Sequence, residues 1–329
     1  MESPKQNPET LPDNFAFVSL GNGGDVDLGE VVVGLQQSPK AVPPKFLYDA
    51  RGSELFNAIC TTEAYYPTRT ECGIYQSQAQ AIAAEVGPNS TVIEFGPGDM
   101  SKIRLLLDEV RPRTYVGVDV SAAQLEDAGP VLAADYSWLQ VLAVCGDFGP
   151  SQLLEEHLPD ESKRVAFFPG STIGNFDPDA ACRFLQDLRE MLGTNGEAIV
   201  GVDLQKPAAV LNAAYNDPEG YTRAFNVNLL ARLNRELGAN FDERRFRHKA
   251  YYNEDLGRVE MHLVSVIEQQ VRIGEHTISF QPGETIHTES SWKYTKDAFT
   301  RLVGKAGFSV QRFLTDERAW FGVFILRVK

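Results

Sequence analysis

Positive charge is what this chain has least of. Its 31 Lys and Arg are outnumbered by 45 Asp and Glu, which leaves a formal charge of −14. Phosphate-backbone binding needs clustered cations. The densest group, Arg244 to Lys249, is short and follows Asp242 and Glu243, so it reads as a solvated helix or loop face. A nucleic-acid partner is thereby disfavoured. Cysteine is scarce as well: Cys60, Cys72, Cys145 and Cys182 form no C-x-x-C pair and fit reduced core thiols. No apolar run reaches the roughly 18 residues that span a bilayer. The opening MESPKQNPETLPDN is polar, with neither an apolar signal core nor an arginine-rich transit character. These absences predict a soluble, cytoplasmic monomer with no membrane partner and a disordered tail over residues 1–14.

What is present is apolar material in a regular rhythm. The 329 residues are 43% hydrophobic, enough for one large or two modest domains. A short apolar run, Val31-Val32-Val33, precedes the break at Pro43-Pro44. Helical segments follow over roughly Lys45 to Ile59 and from Thr68, where Thr68 to Glu71 fits a capping box, to about Val86. From Thr91, the runs TVIEF, TYVGVDV, LQVLAVCGDF, RVAFFPG and EAIVGVDL alternate with helix-sized segments. Continuous rather than alternating apolar strands are those buried on both faces. Helix starts at Ser121 and at Asp177-Pro178 complete the pattern of a doubly wound α/β sheet. After Lys206 a helical region runs from Pro207 to Leu237, and GRVEMHLVSVIEQQVRIGEHTISF then alternates as an antiparallel meander. An amphipathic helix, Thr295 to Lys305, and two final strands return to close the first sheet.

The stretch TVIEFGPGDMSK joins a strand to a helix through Gly96 and Gly98. Glycines there admit a ligand close to the backbone, and the helix start aims N–H groups at anionic atoms. A dinucleotide fingerprint wants a third glycine at position 101, but the chain has Ser101 followed by Lys102. A G-x-G turn alone is weak evidence. Asp119 ends the next strand, where a carboxylate can accept both ribose hydroxyls. Asp147 and Phe148 end the one after, an acid and an aromatic suited to an adenine amino group and π-face. Asp119 alone reads equally as a helix cap and Phe148 as core. Together the three strand ends resemble the class I S-adenosylmethionine-dependent methyltransferase fold, and the resemblance puts Lys102 against the cofactor's carboxylate.

Five further segments narrow this: YDARGSELF, EAYYPTRTE, FFPGSTIGNFDP, AAYNDPEGYTRAFNVNLL and HTESSWKY. With the loop, they resemble the histidine-specific Nα-methyltransferase family of ergothioneine biosynthesis, from about Lys45 onward. The resemblance implies S-adenosylmethionine as cofactor, S-adenosylhomocysteine as product and a free amino acid as partner. Asn175 and Tyr215 would grip its α-carboxylate as neutral donors. Tyr48 and the Gly170 backbone would lie near its α-amino group, with Tyr48 attending amine desolvation and proton passage. Glu289 and Ser291 would hold the imidazole, helped by Tyr65, with Met261 lining the pocket. Period-2 alternation puts His287, Glu289 and Ser291 on one strand face, where a carboxylate and a hydroxyl satisfy both imidazole nitrogens. Without the resemblance, Glu289 reads as a solvated strand residue and Met261 as core. A metal site from His262, His287 and Glu289 lacks a third spaced ligand, and none is expected. The remaining histidines, His157, His248 and His276, read as surface residues.

The expected domains are a cofactor-binding unit over 70–205 and 293–329 and a discontinuous substrate-binding unit over 15–69 and 206–292. Rivals are an enzyme of the same family acting on a tryptophan-derived amino acid, a non-catalytic cofactor-binding protein, and an NAD-dependent oxidoreductase. Ser101 and Lys102 in the loop count against the last of these.

Overall fold

The structure is a computed structural model that describes residues 11–20, 27–146, 149, 150, 152–159 and 162–329. Asp147 and Phe148, expected at the adenine, and residues 1–10 of the expected tail lie outside the described residues. Eight strands form one sheet. In spatial order they are β1 (Phe15–Ser19), β5 (Gln140–Cys145), β4 (Thr114–Asp119), β3 (Thr91–Phe95), β6 (Arg164–Phe168), β7 (Glu197–Asp203), β14 (Phe321–Val328) and β13 (Phe308–Thr315). The pairings from β1 to β7 are parallel, and the last two strands are antiparallel. All five residues of β3 and all seven of β7 are buried. Side chains alternate between two core layers: Val92 enters one, Ile93 and Phe95 the other. Helices Tyr66–Val86 and Ser101–Val110 cover the first layer and Pro178–Leu192 the second. The expected doubly wound sheet with an antiparallel closing pair is present.

A second sheet has the order β2 (Lys40–Ala41), β12 (Thr285–Trp292), β9 (Arg258–Ser265) and β8 (Phe246–Asn253), beside a hairpin of β10 (Gln269–Ile273) and β11 (His276–Phe280). Its inner face packs on the helices Ala50–Thr61 and Tyr221–Leu237 in a third core cluster.

Several local expectations change. Strand β1 pairs in parallel with β5, Phe15 opposite Val141 through Ser19 opposite Cys145, so residues 15–19 edge the large sheet instead of joining the second unit. Val31 to Val33 lie within a helix, Leu28–Gln36, whose N-cap Asp27 accepts from the Gly29 N–H. The helix expected at Thr68 starts at Tyr66, because Pro67 presets the first-turn φ. The basic stretch 244–249 runs from a 3₁₀ turn into β8. The region 207–237 is two helices, Ala208–Ala214 and Tyr221–Leu237, and Tyr215 stands at the break between them.

Candidate active site

The loop after β3 turns on positive φ at Gly96 (71°), Gly98 (55°) and Met100 (55°). The Gly96 N–H donates to the Val118 carbonyl at 2.8 Å, which ties the loop to the end of β4. Asp119 sits at that end and accepts from the Ser121 N–H at 2.9 Å. Burial pushes its carboxyl up, and the N–H groups of Ser121, Gly98 and Val120 oppose the shift. A Cβ at Gly98 would meet none of the described residues within 4 Å, so among these the loop leaves room beside a fixed carboxylate.

Lys102, on the first turn of the following helix, is not free in this space. Its Nζ donates to Glu71 at 2.7 Å. Glu71 is wholly buried, and it also accepts from the Gly170 N–H at 2.8 and 2.9 Å and from the Tyr75 hydroxyl at 3.0 Å. Gly201 makes the room: a Cβ there would fall 2.1 Å from Glu71 Oε1. One carboxylate thus fixes the loop after β3 against the loop after β6. Gly170 (φ 77°) spends its N–H on Glu71.

Across the second sheet, a bulge decides which side chains face inward. The pairing of β12 with β9 runs His287 opposite His262, then Glu289 opposite Met261, Ser290 opposite Glu260 and Ser291 opposite Val259. Thr288 is the extra residue, and its hydroxyl donates to Asn226 at 2.7 Å. The alternation is therefore broken. Glu289 and Ser291 share the inner face with Met261 and Val259, which lie in the core cluster. His287 turns to the outer face, where its ring lies 5.1 Å from that of His262 and its Nε2 is 2.9 Å from Ser290 Oγ. The expectation that His287 and Glu289 share a face fails for this reason, and what the His287 ring meets of Glu289 is its backbone.

Glu289 is buried, and its Oε2 has no hydrogen-bond partner among the described residues. Burial raises its pKa to about 7 against the opposing pull of Lys293. Three tyrosines, Tyr48, Tyr65 and Tyr215, lie near enough to feel the Glu289 charge. Tyr48 lies 5.6 Å from Phe56 and 5.3 Å from Phe225; Tyr65 lies 6.2 Å from Phe56 and 6.1 Å from Tyr215. The Tyr48 and Tyr65 hydroxyls are pushed well up, first by burial and also by Glu289 and Tyr215. Both stay phenols at any physiological pH. Asn175 ends a 3₁₀ turn, Thr172–Asn175, which is pressed against β12: a Cβ at Gly174 would lie 2.8 Å from the Trp292 carbonyl oxygen.

Residues 28–328 match the family described as histidine-specific, S-adenosylmethionine-dependent methyltransferases. The chain belongs to that family. It is 39% identical over 303 residues to the histidine N-alpha-methyltransferase of Mycolicibacterium smegmatis, spanning 89% of this chain and 92% of that protein. It is 40% identical over 321 residues to the protein of the same name from Mycobacterium tuberculosis, at 93% and 98% coverage. The ergothioneine biosynthesis protein 1 of Schizosaccharomyces pombe is 30% identical over 290 residues, which cover 84% of this chain and 38% of that longer protein.

As a member of the histidine-specific methyltransferases, the chain takes S-adenosylmethionine as methyl donor. Its residues fit that molecule: the Gly98 turn and the fixed Asp119 carboxylate suit a nucleoside, while Lys102, expected at the cofactor's carboxylate, is paired with Glu71.

Other members of the site were not singled out by sequence reasoning. Lys293 is buried and donates to Asp203 at 2.8 Å, Tyr215 at 3.1 Å and Ser291 at 2.6 Å. Asp203 also binds Lys206 at 2.6 Å and accepts from the Tyr66 hydroxyl at 2.8 Å. Burial works against its charge, but the two lysines prevail and hold its pKa down. The Tyr215 hydroxyl, expected from the resemblance as a neutral donor to the α-carboxylate, accepts from the Lys293 ammonium. His248, read as a surface residue, is half-buried with its Nε2 3.1 Å from the Tyr215 carbonyl oxygen. Phe56 and Phe225 stand in two of the five segments, yet only the ring contacts place them against Tyr48 and Tyr65. Glu71 belonged to a quoted motif too, and nothing local marked its distant partners.

Proposed function

We propose that this chain transfers three methyl groups in succession from S-adenosylmethionine to the α-nitrogen of free L-histidine. The products are N,N,N-trimethylhistidine (hercynine) and S-adenosylhomocysteine, which makes this the first step of ergothioneine biosynthesis. One observation carries the choice of acceptor: a buried carboxylate, Glu289, with an unpartnered oxygen, on the same strand face as Ser291. Imidazole has one N–H and one acceptor nitrogen, and this pair answers both. An indole has a donor and no acceptor and would leave the Ser291 proton without a partner. The names of the two relatives near 40% identity agree with this reading.

The cofactor supplies an electrophilic methyl group on its sulfonium. The chain supplies position: Gly96 and Gly98 at the loop, Asp119 at the ribose, Asp147 and Phe148 at the adenine, and Lys102 at the carboxylate. For the acceptor, Tyr215 and Asn175 hold the α-carboxylate, while Tyr48 and the Gly170 carbonyl face the α-nitrogen. Tyr65 and Met261 enclose the ring. Holding an amine in line with a methyl carbon is worth far more than a strong base. The amine must still arrive unprotonated, and a proton must leave after each of the first two transfers. A phenol held neutral by burial, as Tyr48 is, passes such a proton without ionising. The third transfer leaves a fixed cation beside Tyr48 and its ring neighbours Phe56 and Phe225, where desolvated π-faces stabilise it by about 2 kcal/mol.

We assign residues 70–205 and 293–329 to donor binding and 27–69 and 206–292 to acceptor binding, with Gly170 and Asn175 reaching the acceptor from the first unit and β1 edging its sheet. A cytoplasmic monomer accords with four free cysteines and with the finding that no described helix is long and apolar enough to cross a membrane. Labelled S-adenosylmethionine offered with each of the 20 amino acids tests the function. Label should enter histidine alone, and its absence from histidine would refute the assignment.

A further inference from the structure

Lys293 stands outside every role given so far, and its geometry is unusual. It is almost completely buried and lies just past the end of β12, two residues from Ser291. An ammonium has three protons and no lone pair. Here all three are placed: on Asp203 Oδ2 at 2.8 Å, on the Tyr215 hydroxyl at 3.1 Å and on Ser291 Oγ at 2.6 Å. Lys293 therefore has none left for a substrate, and it acts through its neighbours.

A hydroxyl that accepts a proton from an ammonium keeps its own proton to donate. Tyr215 and Ser291 are both in that state, two hydroxyls side by side on one ammonium. We propose that Lys293 is a positioning residue for the methyl acceptor: held by Asp203, it orients the Tyr215 and Ser291 hydroxyls as donors and so couples the grip on the α-carboxylate to the grip on the imidazole. This rests on the histidine reading of the pocket and deepens it. Tyr215 then offers its proton to a carboxylate, which can only accept. Ser291 offers its proton to the bare imidazole nitrogen, and Glu289 takes the imidazole N–H. The pocket is thereby set for one polarity of ring, a single donor opposite a single acceptor. An amino acid lacking either group leaves a buried polar atom unpaired, a loss that discriminates more sharply than shape does.

The same ammonium sets the charge of the pocket. Glu289 is faced by Tyr48 after the Pro44–Leu47 turn, by Tyr65 at the head of the Tyr66–Val86 helix, by Tyr215 at the end of Ala208–Ala214, and by Lys293 itself. The three phenols stay neutral, so Lys293 is the cation that favours ionised Glu289. Without it, the carboxyl should titrate higher.

The test compares Lys293→Met and Lys293→Arg with the wild type, after the wild type has been shown to methylate histidine. Failure at that first stage refutes the histidine reading; a failure confined to the variants refutes only the role of Lys293. For Lys293→Met we expect the histidine KM to rise about 10-fold or more, S-adenosylmethionine affinity by calorimetry to stay within about twofold, and the acid limb of kcat/KM to move to higher pH. Lys293→Arg keeps the charge but not the three-way geometry, so its limb should stay in place while its KM rises. In a Tyr215→Phe background, Lys293→Met should cost much less than it does alone. Should Lys293→Met not fold, the KM and pH limb of Lys293→Arg decide. A histidine KM unchanged in Lys293→Arg, an unmoved acid limb in a folded Lys293→Met, or full additivity with Tyr215→Phe would each overturn the proposal.

Discussion

Gly201 sits inside β7, and the space left by its missing side chain is the space Glu71 occupies. In Gly201→Ala the new methyl would fall 2.1 Å from Glu71 Oε1 and 3.1 Å from the Phe321 ring. The strand cannot slide away, because β6 and β14 hold it on both edges, with Gly201 opposite Val323. Glu71 must therefore retreat by about 1.3 Å to reach ordinary contact. That retreat breaks bonds of 2.7 to 3.0 Å from Lys102, Gly170 and Tyr75, since a hydrogen bond does not survive such stretching. Overpacking costs about 1–3 kcal/mol, and stripping a buried ion of its partner about 3–5 kcal/mol. Lys102 keeps 22% of its side chain in water, which moderates the second figure, so we expect about 4 kcal/mol in all. At about 2 °C per kcal/mol for a chain of this size, calorimetry should find a melting temperature about 8 °C lower, with weaker S-adenosylmethionine binding. The decisive measurement is a double-mutant cycle with Glu71→Ala. If the clash with Glu71 is the cause, Gly201→Ala should cost under about 1 kcal/mol in that background. An undiminished cost there would refute the reasoning.

Glu289→Gln should raise the histidine KM by about 10- to 100-fold, the worth of a hydrogen bond to a charged group, and leave S-adenosylmethionine affinity unchanged in calorimetry. The pKa of Glu289, raised by burial from 4.5 to about 7, has a signed consequence for the unliganded protein. Its stabilising contribution is complete below pH 4.5 and is lost as pH rises through about 7, so urea midpoints should show Glu289→Gln gaining on the wild type between pH 5 and pH 8, by up to about 3 kcal/mol. A constant gap between the two would contradict a Glu289 carboxyl raised by burial. Asp119→Asn should weaken S-adenosylmethionine binding by about 10-fold, the loss of a charged acceptor, with little change in the histidine KM once the cofactor is saturating; an unaltered dissociation constant would place Asp119 away from the ribose.

Much of this architecture is legible without coordinates. The strands of the large sheet announce themselves as continuous apolar runs, and Ser121 and Asp177 cap the helices their side chains suggest. What escapes the sequence is long-range and polar. Glu71 looks like part of a capping box, yet its partners Lys102 and Gly170 lie 31 and 99 residues away. Lys293 was in plain view within HTESSWKY, but no local pattern says that a lysine is buried on an aspartate 90 residues earlier. Strand β1 is five residues long, too brief to reveal that it pairs with β5. The facing of β12 was misjudged for a different reason: counting by twos cannot see an inserted residue.

That inserted residue, Thr288, makes acceptor choice a question of parity. Upstream of it, odd-numbered His287 faces outward; downstream, odd-numbered Glu289 and Ser291 face inward. Had the strand been regular, either the histidine would share the pocket with the carboxylate or both recognition groups would look away from it. Deleting or adding one residue here changes no recognition side chain, yet it would exchange the two faces of the strand's end. Specificity in this wall can therefore be lost by a shift in frame as readily as by a substitution. Alignments of related chains across this strand are informative only where the bulge itself is aligned.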